Sequence, residues 1–241
     1  MAMRGPTRKP KVAEPSPISG ARPSPPQPVS HEPSKVQGAN RAHPPASRDR
    51  LTLRAEGYRK VIHVASAALP ALVWILPRPA ALALLGATAG AALAIEAARR
   101  YIRPFRYAFL RGTRYLLRAR ERAGLSGATW MAIAYLVAAI VFPLPVAVAA
   151  MLYNAFGDGL AAMVGKRWGR HRIPGGKSIE GAAAGFAANF FVGLAVPGIP
   201  LPAALIGGAA AALLEILPIP IDDNVVVTLG GGVVLWAVLG L

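Results

Sequence analysis

The sequence predicts an all-α, polytopic membrane protein of about seven short transmembrane helices, with its N-terminus in the cytosol, behind a disordered arm. Three observations predict it. The 241 residues are 54% hydrophobic and only 16% charged, with a mean hydropathy of +0.42, whereas about a quarter of a soluble domain is charged. The net charge is +16, from 27 Lys and Arg against 11 Asp and Glu, yet a soluble nucleic-acid binder this basic would be polar throughout. The basic residues fall in blocks between apolar runs, the pattern of a multi-span protein with cytosolic basic loops. The length suffices for six or seven spans of roughly 20 residues. With no cysteine, disulfides, thiolate metal sites and a Cys nucleophile are excluded.

Residues 1–50 form the arm, and 51–241 the integral-membrane domain. The arm holds 11 of the 23 prolines, nine basic and three acidic residues, and no apolar run. Such a segment cannot bury enough surface to offset ordering. No apolar stretch follows its basic start, so it is not a secretory signal. An organellar transit peptide stays open, beside the preferred reading of a solvated tail that leans on an anionic membrane surface.

The spans follow in pairs. Val61–Leu76 and Ala80–Ile95 flank a break at Pro77-Arg78-Pro79, and Ala128–Phe142 and Val146–Val164 flank Pro143-Leu144-Pro145. Gly181–Val196 and Leu201–Leu217 flank Pro197–Pro200, and Val225–Leu241 is the last span. Between pairs lie Glu96–Arg122, with nine basic and two acidic residues, and the basic, Gly-rich Lys166–Gly181. Two spans separate each basic block from the next, so the positive-inside rule puts all of them in the cytosol. The same parity sets every acid after residue 51 at a cytosolic loop or helix end. Carboxylates beside apolar spans cost on the order of 2.5–3.5 kcal/mol at a span centre, so they persist where they line a cavity or meet a partner.

Four constellations could carry chemistry. The densest runs from Asn154 through Gly157-Asp158-Gly159 and Gly165-Lys166-Arg167-Trp168-Gly169 to Gly175-Gly176-Lys177-Ser178-Ile179-Glu180-Gly181. A glycine-rich loop leading into a helix presents N–H groups to phosphate. Lys177 could hold a nucleotide phosphate, and Asp158 and Glu180 could hold Mg²⁺. Singly, each piece has a structural reading: glycines for helix packing, Lys166 and Arg167 as topological anchors. Together, with Asp158 near the membrane, they favour a site. The second constellation is Glu215 with Asp222-Asp223-Asn224. One of these last three is expected to cap the final helix, which leaves the adjacent acids and Glu215 for a metal or nucleotide. The third is Arg59-Lys60-Val61-Ile62-His63, where His63 is either an interfacial residue or a proton carrier or phosphate ligand. For the fourth, Glu96-Ala97-Ala98-Arg99-Arg100, an exposed basic helix with an i to i+4 pair is preferred.

These pieces, in this order, resemble the CTP-dependent polyprenol and lipid kinases: dolichol kinase, phytol kinase and the CTP-using diacylglycerol kinase. The matching residues are Arg59-Lys60-x-x-His63, Glu96-x-x-Arg99 and Glu121-x-x-Gly124-Leu125-Ser126-Gly127-Ala128-Thr129. Further along come Gly157-Asp158-x-x-Ala161-x-x-x-Gly165-x-x-x-Gly169, Lys177-Ser178-x-Glu180-Gly181, Glu215 and Asp222-Asp223-Asn224. Gly159 departs from the Thr or Ser common after the aspartate, and the arm before Arg54 has no counterpart. The resemblance implies transfer of the γ-phosphoryl of CTP to the hydroxyl of a membrane lipid alcohol at the cytosolic face of the membrane, the cytoplasmic membrane in a bacterium. It implies Asp158, Lys177, Glu180 and His63 as catalytic residues. Gly165, Gly175, Gly176, Ser178, Gly181, Asn224, Arg59 and Lys60 would bind the nucleotide. Asp158, Glu215, Asp222 and Asp223 would bind Mg²⁺. Lipid, CTP and bilayer are then the expected partners, and nucleic acid is not.

Two rival classes remain: another CTP- or CDP-lipid enzyme, of which two kinds come into question, and a small membrane transporter. A CDP-alcohol phosphotransferase would carry an Arg after the Asp-Gly-x-x-Ala stretch and a downstream acid pair, both missing after Asp158. A phosphatidate cytidylyltransferase is nearer in layout but lacks its C-terminal signature here. A small transporter would show two similar halves, and none is seen.

Overall fold

A computed structural model describes residues 61–113, 117, 121–122 and 124–241. The predicted arm, Arg59 and Lys60 lie outside these residues. The described residues are helical and contain no β-strand; a single antiparallel bridge joins Arg172 to Ser178.

Among the described residues, eight helices of ten residues or more follow in order. They are α1 (Val61–Ile75), α2 (Arg78–Tyr101), α3 (Arg103–Gly112) and α4 (Gly127–Val141). Then come α5 (Leu144–Trp168), α6 (Ile179–Ala195), α7 (Leu201–Ile216) and α8 (Asp223–Leu239). Two of them, α2 and α5, are long and apolar enough to cross a membrane, and α1, α4, α6, α7 and α8 are shorter apolar helices. Each predicted apolar run has become one helix. The proline breaks are tighter than expected. Helix α2 starts at Arg78 and α5 at Leu144, each with a proline in its first turn, where the missing N–H would have had no partner. Helix α2 also runs past Ile95 to Tyr101, so Glu96, Arg99 and Arg100 are helical.

Helix α5 is the centre of the bundle. Two thirds of its apolar window is buried, against 22% for α2, which lies at the periphery. Val146–Met151 is buried throughout, and Tyr135, Tyr153, Leu85 and Leu235 close over it. The Tyr135 hydroxyl donates to the Met151 carbonyl at 2.9 Å. Small residues set the closest helix approach: a Cβ on Gly208 of α7 would stand 2.8 Å from the Phe190 backbone nitrogen of α6, a spacing only glycine permits.

Two helices contain a π-helical turn, which sequence patterning did not foresee. In α5 it spans Tyr153–Asp158, and in α8 Val226–Gly230. Such wide turns concentrate at functional sites, and the two pack against each other.

The three interhelical turns gather at one end of the bundle. Leu76, Arg78, Phe142 and Leu144 line a small apolar cavity of about 90 Å³, Arg78 donates to the Ile140 carbonyl at 3.2 Å, and the Gly198 position lies 3.8 Å from Pro145. The acids and the glycine-rich loop occupy the opposite end.

Candidate active site

Three short backbone devices build that opposite end. Ser178 caps α6 by accepting the Gly181 N–H at 3.1 Å. Asp222 caps α8 by accepting the Asn224 N–H at 3.1 Å. Ser126 caps α4, accepting from Thr129. All three follow the Ser and Asp preference for this position. Between α5 and α6, residues 169–178 form the loop. Its glycines Gly175 and Gly176 have φ of +84° and +81°, a region that only glycine enters without strain. A Cβ on either would meet nothing within 4 Å, so conformation rather than crowding demands glycine there.

The devices enclose a cavity of about 400 Å³, within the range of small-ligand sites. Its acidic lining is Asp158 from α5, Glu215 from α7 and Asp223 from α8. Its cationic lining is Lys166, Arg172 and Lys177. The glycines Gly165, Gly175, Gly176 and Gly181 and the cap Ser178 complete the wall. The Lys177 ammonium donates to the Glu215 backbone carbonyl and to Asp223 Oδ2 at 3.3 Å, which aims it across the mouth between α6, α7 and α8.

His63 lies beside this cavity. Its Nε2 is 2.9 Å from the Asn154 carbonyl and 3.3 Å from Asp158 Oδ2. A carbonyl only accepts, so this nitrogen carries the proton and donates. Asn154 is itself held: its amide donates to Asn224 Oδ1 at 3.2 Å. The Asn224 amide nitrogen donates to the Gly127 carbonyl at 3.2 Å and to Asp222 Oδ1 at 2.7 Å. A set of hydrogen bonds thus runs from the start of α4 through α8 to Asn154 in the wide turn of α5 and on to His63 of α1, whose Nε2 stands beside Asp158.

The structure distributes the remaining expected residues differently. Asp222 and Asn224 do not line the cavity; they are joined to each other and to α4 and α5. Glu180 does not reach Lys177. Its carboxylate accepts from the His171 ring at 2.6 Å and the His171 backbone at 3.2 Å. That side-chain hydrogen bond pulls the Glu180 carboxyl down from 4.5 to about 2. Ser178 and Gly181 also have packing duties, since Ser178 is buried and a Cβ on Gly181 would stand 2.6 Å from the Ala161 carbonyl. Neither Lys166 nor Arg172 is among the residues expected to bind or act: Lys166 lies in the densest constellation, with an alternative reading as a topological anchor, Arg172 carries no motif signal, and the fold sets both on the cavity wall.

The reading of Arg99 as an exposed surface arginine is corrected. Arg100 is exposed, but Glu96 and Arg99 are each only 5% exposed. Arg99 pairs with Glu96 at i, i+3 through Nε at 2.7 Å and through Nη2, not at i, i+4. It also donates to the Glu121 carbonyl at 2.7 Å and the Gly124 carbonyl at 2.5 Å. Glu96 Oε1 accepts from the Ser126 N–H at 2.9 Å and the Thr129 hydroxyl at 3.1 Å. The Glu121 and Ser126-Gly127-Ala128-Thr129 stretch is therefore a pin that fixes the start of α4.

The resemblance implies Mg²⁺, and the donor set can be tested for it. Among the described residues no three His, Asp or Glu side chains converge tightly enough to hold a metal by themselves. Mg²⁺ takes one or two carboxylates and completes its shell with waters and substrate phosphates. Separated carboxylates facing one cavity with three cations fit a metal that enters with a nucleotide.

No family model and no solved structure matches the chain. Over 144 residues, 58% of this chain and 70% of the relative, it is 28% identical to an uncharacterized protein of Rickettsia prowazekii. It is also 28% identical over 200 residues, 78% of this chain and 82% of the relative, to a phytol kinase of Synechocystis sp., a similarity that supports a distant relationship to the phytol kinases.

Proposed function

We propose that this protein is a membrane lipid kinase that transfers the γ-phosphoryl group of CTP to the hydroxyl of a lipid alcohol: phytol, a polyprenol such as dolichol, or diacylglycerol. The observation that carries the reading is the meeting of Asp158, Glu215 and Asp223 with Lys166, Arg172 and Lys177 around one cavity beside a glycine-rich loop. The similarity to a phytol kinase supports lipid kinase chemistry and a lipid alcohol acceptor. CTP as donor rests on the motif resemblance.

Phosphoryl transfer asks a protein for positioning and charge stabilisation more than for covalent chemistry. The acceptor oxygen attacks the γ-phosphorus, the bond to the β–γ bridging oxygen breaks, and CDP leaves. The acceptor proton goes to Asp158. The His63 Nε2, whose proton is donated to the Asn154 carbonyl, stands 3.3 Å from Asp158 Oδ2, so it packs against that carboxylate and, already protonated at this atom, does not compete for the proton. Lys177, held at the mouth by Asp223 and the Glu215 carbonyl, takes the charge that builds on the transferred group. Arg172 and Lys166 flank the phosphates. Asp158, Glu215 and Asp223 are the carboxylates that would hold Mg²⁺, which would neutralise phosphate charge. In a multi-pass topology with this end of the bundle in the cytosol, nucleotide enters from water and the acceptor arrives laterally from the bilayer.

The test is purified protein in detergent given γ-labelled CTP, or ATP in parallel, with a panel of lipid alcohols. Label is expected on the lipid, with CDP as co-product, and lost in Asp158→Ala and Lys177→Ala. Normal turnover in both variants would overturn the site, and a CDP-lipid with pyrophosphate would replace the kinase by a cytidylyltransferase.

A further inference from the structure

Helix α3 is built unlike the rest of the bundle. Its ten residues include none that is buried. Phe105, Ala108, Phe109 and Gly112 recur at helical spacing and share one face, while Arg103, Tyr107 and Leu110 stand opposite and Arg106 and Arg111 flank the two borders. Phe105 and Phe109 stack at 5.9 Å, and Phe109 lies 5.8 Å below the Arg99 guanidinium. This contact ties α3 to the end of α2. The apolar residues around the junction remain exposed: Ile102 at 51% and Phe105 at 37%.

The junction also fixes the depth of α3. From Arg78 to Arg99, α2 rises roughly 32 Å at 1.5 Å per residue, close to the ~30 Å of a bilayer hydrocarbon core. If α2 crosses the membrane, Arg99 and Arg100 stand at the headgroups. Only the extended Ile102 separates α2 from α3, so α3 begins at that level. A short helix with an arginine face, an aromatic face and no acid at headgroup depth has the design of an interfacial helix.

We infer that α3 lies along the membrane surface and binds anionic phospholipid headgroups through Arg103, Arg106 and Arg111, with Phe105 seated among the upper acyl chains. The occupant follows from charge: α3 carries three arginines and no acid, and a basic residue at an anionic surface contributes about 1 kcal/mol. This inference needs only that α2 crosses the membrane and stands apart from the kinase reading.

The absence of cysteine makes the test clean. Single cysteines are introduced by Ala108→Cys on the apolar face and, as a control at the far end of the bundle, Leu201→Cys. Each full-length variant is labelled with an environment-sensitive fluorophore and placed in nanodiscs containing brominated phosphatidylcholine or brominated phosphatidylglycerol. At position 108 the anionic lipid is expected to quench more strongly, its preference falling about fivefold with each of Arg103→Gln, Arg106→Gln and Arg111→Gln. Position 201 is expected to show no preference. Equal quenching by the two lipids at position 108, a preference that survives the arginine substitutions, or quenching there by aqueous iodide alone would overturn the inference. Reading each arginine separately keeps the test decisive if one of the variants fails to fold.

Discussion

Replacing Arg99 by methionine is expected to destabilise the bundle by about 3–5 kcal/mol, the range for removing one partner of a buried ion pair. The full figure applies because both side chains are only 6% exposed, so the solvent screening that reduces surface pairs to at most about 1 kcal/mol is missing. Methionine keeps the unbranched stem, so packing along it changes little, although it ends short of the guanidinium carbon that stands over Phe109. What changes is that the Glu96 carboxylate loses its counter-charge and the carbonyls of Glu121 and Gly124 lose their donor. Lysine supplies the charge but not the fork that reaches Glu96 and both carbonyls at once, so Arg99→Lys is expected to lose about half as much. The assay is thermal unfolding of the purified chain in detergent, with the order wild type, lysine, methionine. A loss below about 1 kcal/mol in the methionine variant would refute the pin and return Arg99 to the surface role that its sequence context suggests.

Other expectations follow from the same geometry. Asn224→Ala removes the acceptor of the Asn154 amide and a donor to the Gly127 carbonyl in a buried setting and is expected to cost about 1–3 kcal/mol in the same melting assay. Lys177→Ala is expected to lower phosphoryl transfer about a hundred- to a thousandfold, with near-normal melting as the check that the fold survives. Gly208→Leu forces a side chain into the Phe190 backbone and is expected to destabilise by at least about 1–3 kcal/mol, measured by thermal unfolding. The Glu180 carboxyl, lowered to about 2 by the His171 ring, has a depressed folded-state value. Its contribution is therefore fully present above the ordinary 4.5 and lost as pH falls toward 2. His171→Ala is expected to return Glu180 toward 4.5, read by carbon NMR of the labelled carboxylates.

The helices were legible because apolar runs and proline breaks are local. Val61–Leu76 or Leu201–Leu217 needs no partner to be recognised, and Ser178 and Asp222 declare their caps by residue type. The glycine-rich loop and the acids of the cavity were legible because a carboxylate such as Asp158 or Glu215 is costly beside an apolar run and so must have a partner. What escaped was decided at a distance. Arg99 reads as one more base in a run of nine, and only carbonyls more than twenty residues away turn it inward. Lys166 reads equally as an anchor by its sequence, and Arg172 has no signal until the bridge to Ser178 folds the loop back over the cavity. Glu180 sits in the motif, but its hydrogen-bond partner is the His171 ring across the loop and not Lys177. The wide turns left no signal because a π-turn has no period of its own in a short apolar helix.

Those two wide turns also set where this chain can change length. A helix normally cannot lose a residue without breaking its ladder, but a π-turn holds one residue more than an α-turn needs. Deleting Ala155 would let Tyr153–Asp158 close into ordinary helix with its backbone bonding restored. Because a wide turn spreads its extra residue over about the same rotation as an ordinary turn, the two halves of α5 would keep nearly their present phase, and Asp158 would stay on the side of Glu215 and Lys177. The surplus residue in the middle of α5 thus marks the point where the helix can gain or lose length without unseating either its apolar half from the bundle or its acidic half from the cavity.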